Sequence, residues 1–425
     1  MNKAIIGSGL ILLAALLALV PVIGCAPEEV APPEEKVIKI GITSDLTGSY
    51  STVGVPIFQG QYDYLRYIND AKGGINGIPL KVMWADCRTD PSLVLSTYRR
   101  FKDAGIVALI EMSSTELMAL KPFIERDKIP TVGTSASYYS FVPPGWYYAN
   151  YLFEGQTLAA ALKWWYENEW SKRGLDRPAR VAIMSMNNPL GLGSRDACLA
   201  WAKRNLNIEV VSDQTTPVMA LDFTTELLTA KAKNPDIMIL AYPTNEGLIF
   251  RDATRIDWPK DVPFNCEPAT SYTHGNILIA GPGAISQSFG ATTFYLLTET
   301  NIPGMKLLHQ IHERYRGGPC ADVGYQAAAG SIILEEAIKR ALDKVGYDNL
   351  TGTAIKEALD TLHNFETGVV GPVSYDDYPG DRLCTECGRV VRFDWDKQGV
   401  VVVTDWFDFP PFIEFKEAME QEAAL

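Results

Sequence analysis

Positive charge and histidine are scarce in this sequence. Its 425 residues carry 38 lysines and arginines against 51 aspartates and glutamates, a formal net charge of −13, with only 4 histidines. Nucleic acids and anionic lipid surfaces both favour a basic protein face, so this charge balance argues against both as partners. Apolar residues make up 47 % of the chain, which is typical of a folded protein, and the length is enough for two cores.

Motifs of catalysis and cofactor binding are missing as well. The sequence contains no GxSxG elbow, no P-loop and no zincin motif, and Gly191-Leu192-Gly193 lacks the spacing of a dinucleotide fingerprint. His309, His312 and Glu313 share one predicted helix, but no further ligand accompanies them, so a solvated helix face is favoured over a metal site. We therefore expect no enzyme, no catalytic residue, no metal and no cofactor.

Long apolar runs are absent after the N-terminal segment. There Lys3 precedes an apolar stretch that runs from Ala4 to Val20, and Val-Ile-Gly-Cys ends at Cys25. This pattern predicts a signal peptide over residues 1–24, and its resemblance to a lipobox implies acylation of Cys25. An uncleaved membrane anchor is the alternative. Residues 25–36, rich in proline and glutamate, are predicted to form an extended tether that holds the body outside the cytoplasm.

The body of the chain alternates between strand and helix patterns. The first alternation begins at Val37 and reaches Val132, and it includes a helix predicted over Pro91–Asp103. The alternation restarts at Arg180 and continues to Arg255, and it includes a strand predicted over Ile237–Ala241. Two such runs predict an α/β fold with two doubly wound parallel sheets. In open parallel sheets a ligand lies beyond the carboxyl ends of the strands, where helices begin. The loops to search follow Thr43, Met112, Val132, Met186 and Ala241.

Those loops carry the blocks of a known family, in order. IKIGITSDLTGSYSTVG, GGINGIPLKV, DPSLVL, MSST, IPTVGTSAS, ALDFTTELLTAKAKNPDIMIL and VVGPVSYD resemble the leucine/isoleucine/valine-binding family of type I periplasmic binding proteins. The resemblance implies two lobes with a three-segment hinge, the first at 37–150 plus 293–366 and the second at 151–292 plus 367–415. It also implies capture of a zwitterionic small molecule, an amino acid or a similar compound, for the permease subunits of an ABC importer, with no chemistry on the ligand.

The first predicted ligand contact is a serine at a helix start. Ser113 and Glu116 fit a capping box, which is the purely structural interpretation of this motif. Ser114 lies one residue inside, where its N–H and hydroxyl can face an anion. The resemblance implies that Ser114 binds the carboxylate of the ligand.

A second group of predicted contacts follows the fourth strand. By the resemblance, Ser135 offers its carbonyl to a ligand ammonium, Ser137 offers its N–H and hydroxyl, and Ala136 belongs to the same ligand-binding loop. The alternative is an ordinary serine-rich turn. Tyr50 resembles a family tyrosine that packs on the ligand, although a tyrosine that only packs between lobes is the alternative.

The second lobe is predicted to supply an acid and a changed wall. The resemblance implies that Glu267 faces the ligand ammonium; a solvated loop acid is the alternative. Leu190 stands where the family usually has an aromatic residue. The loop after Leu240 reads Tyr242-Pro243-Thr244 and lacks the second tyrosine that the family has at the ligand wall. Leu190 and Tyr242 are therefore predicted to contact the ligand in a side-chain pocket that differs from that of the family.

Two further features have structural interpretations. The aromatic-rich residues 138–151 are predicted to pack at the hinge between the lobes, with a lining for a larger ligand as the alternative. Cys384 and Cys387 form a CxxC without a second pair, and outside the cell a disulfide is favoured over a zinc or redox site. Pairing among the other thiols stays open: Cys87, Cys198, Cys266 and Cys320.

Alternative functions remain. The same fold can serve a ligand-sensing module that reports to a receptor or regulator, and the ligand can be an amide, urea or an aromatic acid rather than an amino acid. An extracellular enzyme and a structural lipoprotein are further hypotheses, and the missing catalytic motifs speak against the enzyme.

Overall fold

Two β-sheets, one following the other along the chain, organise the protein. The structure is a computed structural model that describes residues 35–134, 136–150, 153–375 and 382–424. The predicted signal peptide, Cys25, the tether up to residue 34, and Ser135 lie outside the described residues. The strands in chain order are β1 (Ile38–Ser44), β2 (Leu80–Asp86), β3 (Ala108–Glu111), β4 (Thr131–Gly133), β5 (Tyr147–Ala149), β6 (Ala179–Met186), β7 (Ile208–Thr216), β8 (Ile237–Ala241), β9 (Phe264–Asn265), β10 (Ser288–Thr292), β11 (Cys387–Asp394), β12 (Gly399–Val402) and β13 (Phe407–Asp408).

Helices connect and cover these strands. They are α1 (Ser51–Lys72), α2 (Pro91–Asp103), α3 (Ser114–Asp127), α4 (Tyr138–Phe141), α5 (Glu154–Trp165), α6 (Pro189–Asn205), α7 (Thr224–Lys231), α8 (Glu246–Arg255), α9 (Pro268–Ser271), α10 (His274–Ala280), α11 (Pro303–Arg316), α12 (Ala328–Val345), α13 (Gly352–Leu359) and α14 (Phe412–Ala423). A π-helical turn follows α5 at Tyr166–Trp170, and short 3₁₀ segments lie at Ser171–Arg173, Ala284–Gln287, Val323–Ala327 and Tyr347–Asn349.

The first lobe is built on a five-stranded parallel sheet of order β2-β1-β3-β4-β5. Its strands are covered on both faces, since β1 and β3 are almost wholly buried. The late helices α11, α12 and α13 return to this lobe and share a core with α1. The chain therefore leaves the first lobe after β5 and comes back to it, as the two-lobe prediction requires.

The second lobe is built on an eight-stranded mixed sheet. Its order is β12-β11-β10-β9-β8-β6-β7, with β13 paired to β11. The pairs from β7 to β10 are parallel, whereas β11 runs antiparallel to its neighbours. The helix α14 closes this lobe against α6, where Phe415 stacks on Trp201. The α/β class and the two sheets predicted from the sequence are confirmed.

Local chemistry explains several element ends. Asp90 accepts hydrogen bonds from the N–H groups of Ser92 and Leu93, at 2.7 and 3.2 Å, and Pro91 occupies the first turn, so α2 begins at Pro91 as predicted. Helix α1 ends at Gly73, whose φ of 68° is a backbone conformation that glycine adopts without strain. This Gly-rich turn leads the chain into β2.

The late crossover between the lobes lies further along the chain than the predicted boundary at 367. Val369, Val370 and Val373 are buried in the core of the first lobe. Antiparallel bridges that join Val370 to Phe294 and Val373 to Phe365 hold this stretch there. The chain pairs with the second sheet from Cys387 onward, where β11 begins.

In the structure the predicted Cys384–Cys387 disulfide is not formed. Both residues are free thiols, as are the other cysteines of the described residues. Cys384 is buried in the core of the first lobe, whereas Cys387 begins β11 in the second lobe and its Sγ lies 3.4 Å from Thr385 Oγ1.

Aromatic side chains of the stretch after Ser137, which was predicted to pack at the hinge, are packed in the interior of the protein. Phe141, Tyr147 and Tyr148 are almost fully buried, and Phe141 lies against Phe412 of α14. Within the part of the chain that the structure describes, no helix combines the length and apolar content needed to cross a membrane.

Candidate functional site

A narrow cavity of about 40 Å³ lies between the two lobes, at the carboxyl ends of their parallel strands. We call it the cleft. Both lobes contribute to its wall, and no lysine, arginine or histidine is among the described residues that line it. These are Tyr50, Val53, Ile57, Met112, Ser113, Thr134, Leu190, Pro243, Ala269, Thr270, Phe294, Val323, Gly324 and Ala327.

The start of α3 forms one side of the cleft. Ser113 is the N-cap, and its Oγ accepts a hydrogen bond from the Thr115 N–H at 3.2 Å. The Ser113 N–H donates to Glu111 Oε2 at 2.7 Å, so Glu111 takes the place that the predicted capping box gave to Glu116. Ser114 is buried as the first residue of the helix, directly beside the lining residue Ser113. Its position fits the predicted role at a helix N-terminus, where N–H groups favour an anion.

Two carboxyl groups are buried beneath this helix start. Burial raises the pKa of Glu116 to about 7, with the charges of Asp45 and Asp86 adding to the shift. Burial also raises the pKa of Glu111 well above its ordinary value, and the charge of Glu116 raises it further. Near neutral pH Glu116 is therefore about half protonated, and Glu111 favours its neutral form. A ligand carboxylate at the start of α3 is then opposed by less negative charge than the sequence composition suggests.

The loop after β4 is only partly at the cleft. Thr134 lines it, and Thr134 Oγ1 accepts a hydrogen bond from Gln61 Nε2 at 2.9 Å. Ser137 is buried as the N-cap of α4, and Ala136 packs into a core shared by both lobes. Ser135, the third predicted contact of this loop, lies outside the described residues. Thr134 was not predicted to lie at the cleft, although it directly precedes the predicted serine and alanine contacts of this loop.

Tyr50 and Leu190 meet at the cleft from opposite lobes. Tyr50 precedes α1, and its hydroxyl accepts a hydrogen bond from Asn188 Nδ2 at 2.5 Å. Asn188 is held in place as the N-cap of α6, where its Oδ1 accepts from the Gly191 N–H at 2.8 Å. Leu190 lines the cleft two residues further on. Both predicted residues are therefore at the site, joined by an asparagine that was not predicted.

Tyr242 is not brought to the cleft. Its side chain is buried in the core of the second lobe, where the hydroxyl donates to the Pro217 carbonyl at 2.8 Å and the ring meets Phe223 edge-on. The next residue, Pro243, lines the cleft in its place. The hydrogen bond from the Tyr242 hydroxyl to the Pro217 carbonyl holds the side chain inside the lobe, so the ring points away from the cleft.

Glu267 lies behind the second-lobe wall rather than in its surface. It is the N-cap of α9, and its carboxylate accepts from Thr157 Oγ1 at 2.5 Å and from the Ala269 N–H at 3.4 Å. The lining residues Ala269 and Thr270 follow it directly. Burial raises the pKa of Glu267 to about 7, with the hydrogen bonds opposing part of the shift.

Two further carboxyl groups surround Glu267. Glu154 and Glu246 begin α5 and α8, both are fully buried, and burial raises both pKa values well above the ordinary range. Each of the two also feels the charge of Glu267. Glu246 Oε2 accepts from Thr270 Oγ1 at 3.3 Å, which ties this cluster to the cleft wall. Sequence reasoning missed both acids, although Glu246 directly follows the loop after Ala241 that was selected for search.

This acidic cluster is not arranged for a metal. Among the residues that the structure describes, no group of three or more histidine, cysteine, aspartate or glutamate side chains could hold a metal ion. His309 and His312 make backbone contacts instead, with the Leu297 and Gly318 carbonyls at 2.7 and 3.0 Å. The site can therefore bind a ligand through hydrogen bonds, apolar contact and charge.

Comparison with known proteins identifies the family. Residues 37–399 match the family model described as periplasmic binding protein. The chain belongs to this family, and the resemblance stated from the sequence motifs is confirmed. A search of curated proteins finds no match.

Solved structures share the fold at low sequence identity. A branched-chain amino acid ABC transporter protein from Thermus thermophilus with bound valine has 20 % identity and a TM-score of 0.78 over 90 % of this chain and 98 % of that one. A fatty acid ABC transporter substrate-binding protein from Thermomonospora curvata has 19 % identity and a TM-score of 0.75 over 88 % of this chain and 93 % of that one. A solute-binding protein of an ABC transporter from Rhodopseudomonas palustris BisB5, in complex with 3,4-dihydroxybenzoic acid, has 15 % identity and a TM-score of 0.72 over 88 % of this chain and 97 % of that one.

Proposed function

We propose that this protein is an extracytoplasmic, lipid-anchored binding protein that delivers an amino acid or an amino-acid-like molecule to an ABC importer. Family membership supports the binding role and the extracytoplasmic location. The lipid on Cys25 and the permease partner rest on the sequence pattern and on the kind of transporter to which the structural neighbours belong.

The observation that carries the proposal is the chemistry of the two walls of the cleft. The start of α3 lines it from the first lobe with Ser113, which Ser114 directly follows. The cluster of Glu154, Glu246 and Glu267 lies behind the wall of the second lobe. Helix N–H groups favour a carboxylate, whereas buried acids favour a cation. A zwitterion presents both charges and so matches both sides.

An anion without an amine fits this arrangement less well. Within the described residues, no cationic side chain lines the cleft and no basic side chain pairs with the acidic cluster. A ligand ammonium would supply that partner and would favour ionisation of Glu267. Bound zwitterion would then hold the lobes together through contacts that exist only when the cleft is closed.

Thermal-shift screening of the purified protein against a panel of metabolites tests the proposal. The panel holds branched-chain and other amino acids, amides, urea, aromatic acids and fatty acids. A ligand at 100 times its dissociation constant adds about 2.7 kcal/mol to the free energy of unfolding. We expect amino acids to raise the melting temperature, with calorimetry confirming the affinity. Stabilisation by aromatic or fatty acids alone would replace the amino-acid assignment, and no response at all would reject ligand delivery.

Glu267→Gln provides the matched variant for the amine. The substitution keeps the size of the side chain and removes its charge, so we expect weaker binding of amino acids and unchanged binding of analogues that lack the amine. Equal weakening of both ligand classes would show that Glu267 supports the structure of the cleft wall and does not bind the ammonium.

A further inference from the structure

A second, larger cavity of about 350 Å³ adjoins the cleft. The two share Ala269, Phe294 and Val323, so these three residues lie between them. Its size is within the range of small-molecule sites in proteins, whereas the cleft itself holds only about 40 Å³. We call the larger one the side cavity.

The walls of the side cavity are mostly hydrocarbon. Strands β11 and β12 contribute Val391, Phe393 and Val400, and Phe393 is paired with Val400 across the two strands. Tyr272 and Leu296 complete this apolar surface. Such a wall favours an apolar occupant, because burying hydrocarbon here removes it from water.

The imidazole of His309 and the amide nitrogen of Gln326, both in the wall, are already engaged with the protein. His309 Nε2 lies 2.7 Å from the Leu297 carbonyl and its Nδ1 lies 3.2 Å from the Cys320 N–H, so both ring nitrogens have partners. Gln326 Nε2 donates to the Tyr295 carbonyl at 2.6 Å. A polar occupant would have to break these contacts, whereas a hydrocarbon group leaves them intact.

We propose that the side cavity holds the apolar part of a ligand whose charged end lies in the cleft. The ligand class is then an amphipathic small molecule with an apolar tail longer than the side chain of valine or leucine. The inference rests on the proposed function, since it assumes that the cleft binds the charged end. It adds a second binding region that reaches past Phe294 toward β12.

A chain-length series tests it. The probes are norvaline, norleucine, 2-aminooctanoic acid and 2-aminodecanoic acid, with the alkanoic acids of the same tail lengths as a second series. We expect the affinity measured by calorimetry to rise about fourfold per methylene in the amino-acid series, until the side cavity is filled. Affinity that does not change with tail length in either series would overturn the inference.

Two tryptophan substitutions on one strand sharpen the test. Val400 lines the side cavity but not the cleft, whereas Val402 lies on the same strand, is 45 % exposed and lines neither. We expect Val400→Trp to abolish the gain from longer tails while norvaline binds as before, and Val402→Trp to behave as the unmodified protein. Equal effects of the two substitutions would contradict a tail in this cavity.

The outcomes separate this inference from the proposed function. Binding of short amino acids without dependence on tail length would leave the proposed function standing and remove the side cavity from it. Tail-dependent binding of the alkanoic series alone, sensitive to Val400→Trp, would support the side cavity and reject the amino-acid assignment. Failure of every probe would reject both.

Discussion

Asn188 Nδ2 donates a hydrogen bond to Tyr50 Oη at 2.5 Å, and this bond joins the two lobes across the cleft. Tyr50 precedes α1 in the first lobe and Asn188 caps α6 in the second. Because each side chain is fixed by its own lobe, the bond can form only when the lobes approach. It therefore belongs to the closed arrangement and contributes to its population.

Tyr50→Phe should weaken ligand binding by about 2- to 10-fold, because it removes one hydrogen bond worth about 0.5–1.5 kcal/mol from the closed arrangement. Calorimetric titration of a ligand found by screening measures the change. Tyr98→Phe is the matched control, since the Tyr98 hydroxyl contacts the Phe123 carbonyl within the first lobe. It should lower stability and leave affinity unchanged. Unaltered affinity in Tyr50→Phe would show that the bond does not govern closure.

Gly193→Ala should hold the lobes apart. A Cβ at Gly193 would lie 3.0 Å from Ser137 Cβ and 3.0 Å from Tyr139 Cδ2, both on the opposite lobe. The same change favours the helix α6 by roughly 0.5–1 kcal/mol, since alanine replaces glycine inside it. We expect weaker ligand binding with equal or greater stability of the unliganded protein, measured by calorimetry and denaturant unfolding.

Gly275→Ala is the matched control for this steric prediction. A Cβ there would lie 3.5 Å from Thr52 Cγ2, also across the lobes, which is ordinary contact. Binding should be unchanged in this variant. If Gly193→Ala and Gly275→Ala bind equally well, the close approach of α6 to the first lobe is not required for ligand capture.

Ser114→Ala should reduce affinity for amino acids by about 1–3 kcal/mol, or roughly 5- to 150-fold, if the helix start binds the ligand carboxylate. The expectation follows from the burial of Ser114 beside the cleft. Ser96→Ala, at an exposed position on α2, should bind as the unmodified protein. Full affinity in Ser114→Ala would place the carboxylate elsewhere.

The stability of the protein should fall as the pH rises from about 4.5 to 7. Burial raises the pKa of Glu267 to about 7 in the folded protein from 4.5, so across this window the folded state binds more protons than the unfolded state. The difference corresponds to about 3 kcal/mol of unfolding free energy, present at low pH and lost by about pH 7. Glu154 and Glu246 act in the same direction.

Urea unfolding of the unmodified protein and of Glu267→Gln at several pH values between about 5 and 8 measures this effect. The variant should lose less stability with rising pH, because one of the titrating groups is gone. Parallel curves for the two proteins would mean that Glu267 does not titrate in this range.

Native thiol labelling should distinguish the cysteines. Burial raises the pKa of Cys198 and Cys320 to about 12 and that of Cys384 well above its ordinary value, whereas Cys387 is only partly buried. We expect iodoacetamide to modify Cys387 first, with the others reacting only after unfolding, as followed by mass spectrometry. Protection of both Cys384 and Cys387 until reduction would restore the disulfide that the sequence suggested.

The sequence predicted helices and strands best where local chemistry is strong. The prediction of α2 over Pro91–Asp103 and of β8 over Ile237–Ala241 matches the structure, because a capping aspartate and a short apolar run specify their ends locally. The strand β5 was missed, since its tyrosines were assigned only to packing.

The candidate site was predicted in part. Tyr50 and Leu190 line the cleft and Ser114 lies beside it, but Tyr242 turns into the core and Glu267 stands behind the wall. The reason is that a motif specifies which loop reaches the cleft, whereas the direction of each side chain depends on partners supplied by distant residues.

By itself the sequence determined the class of the protein: the order of its strands and helices, the family blocks in its loops, and the N-terminal pattern that predicts lipid anchoring. These are properties of short segments, and periodicity and turn chemistry record them directly. Only the tertiary structure decided that Asn188 meets Tyr50, that three acids gather behind one wall, and that an apolar cavity opens beside the cleft. Each of these depends on residues far apart in the chain that become neighbours only when the two lobes pack together.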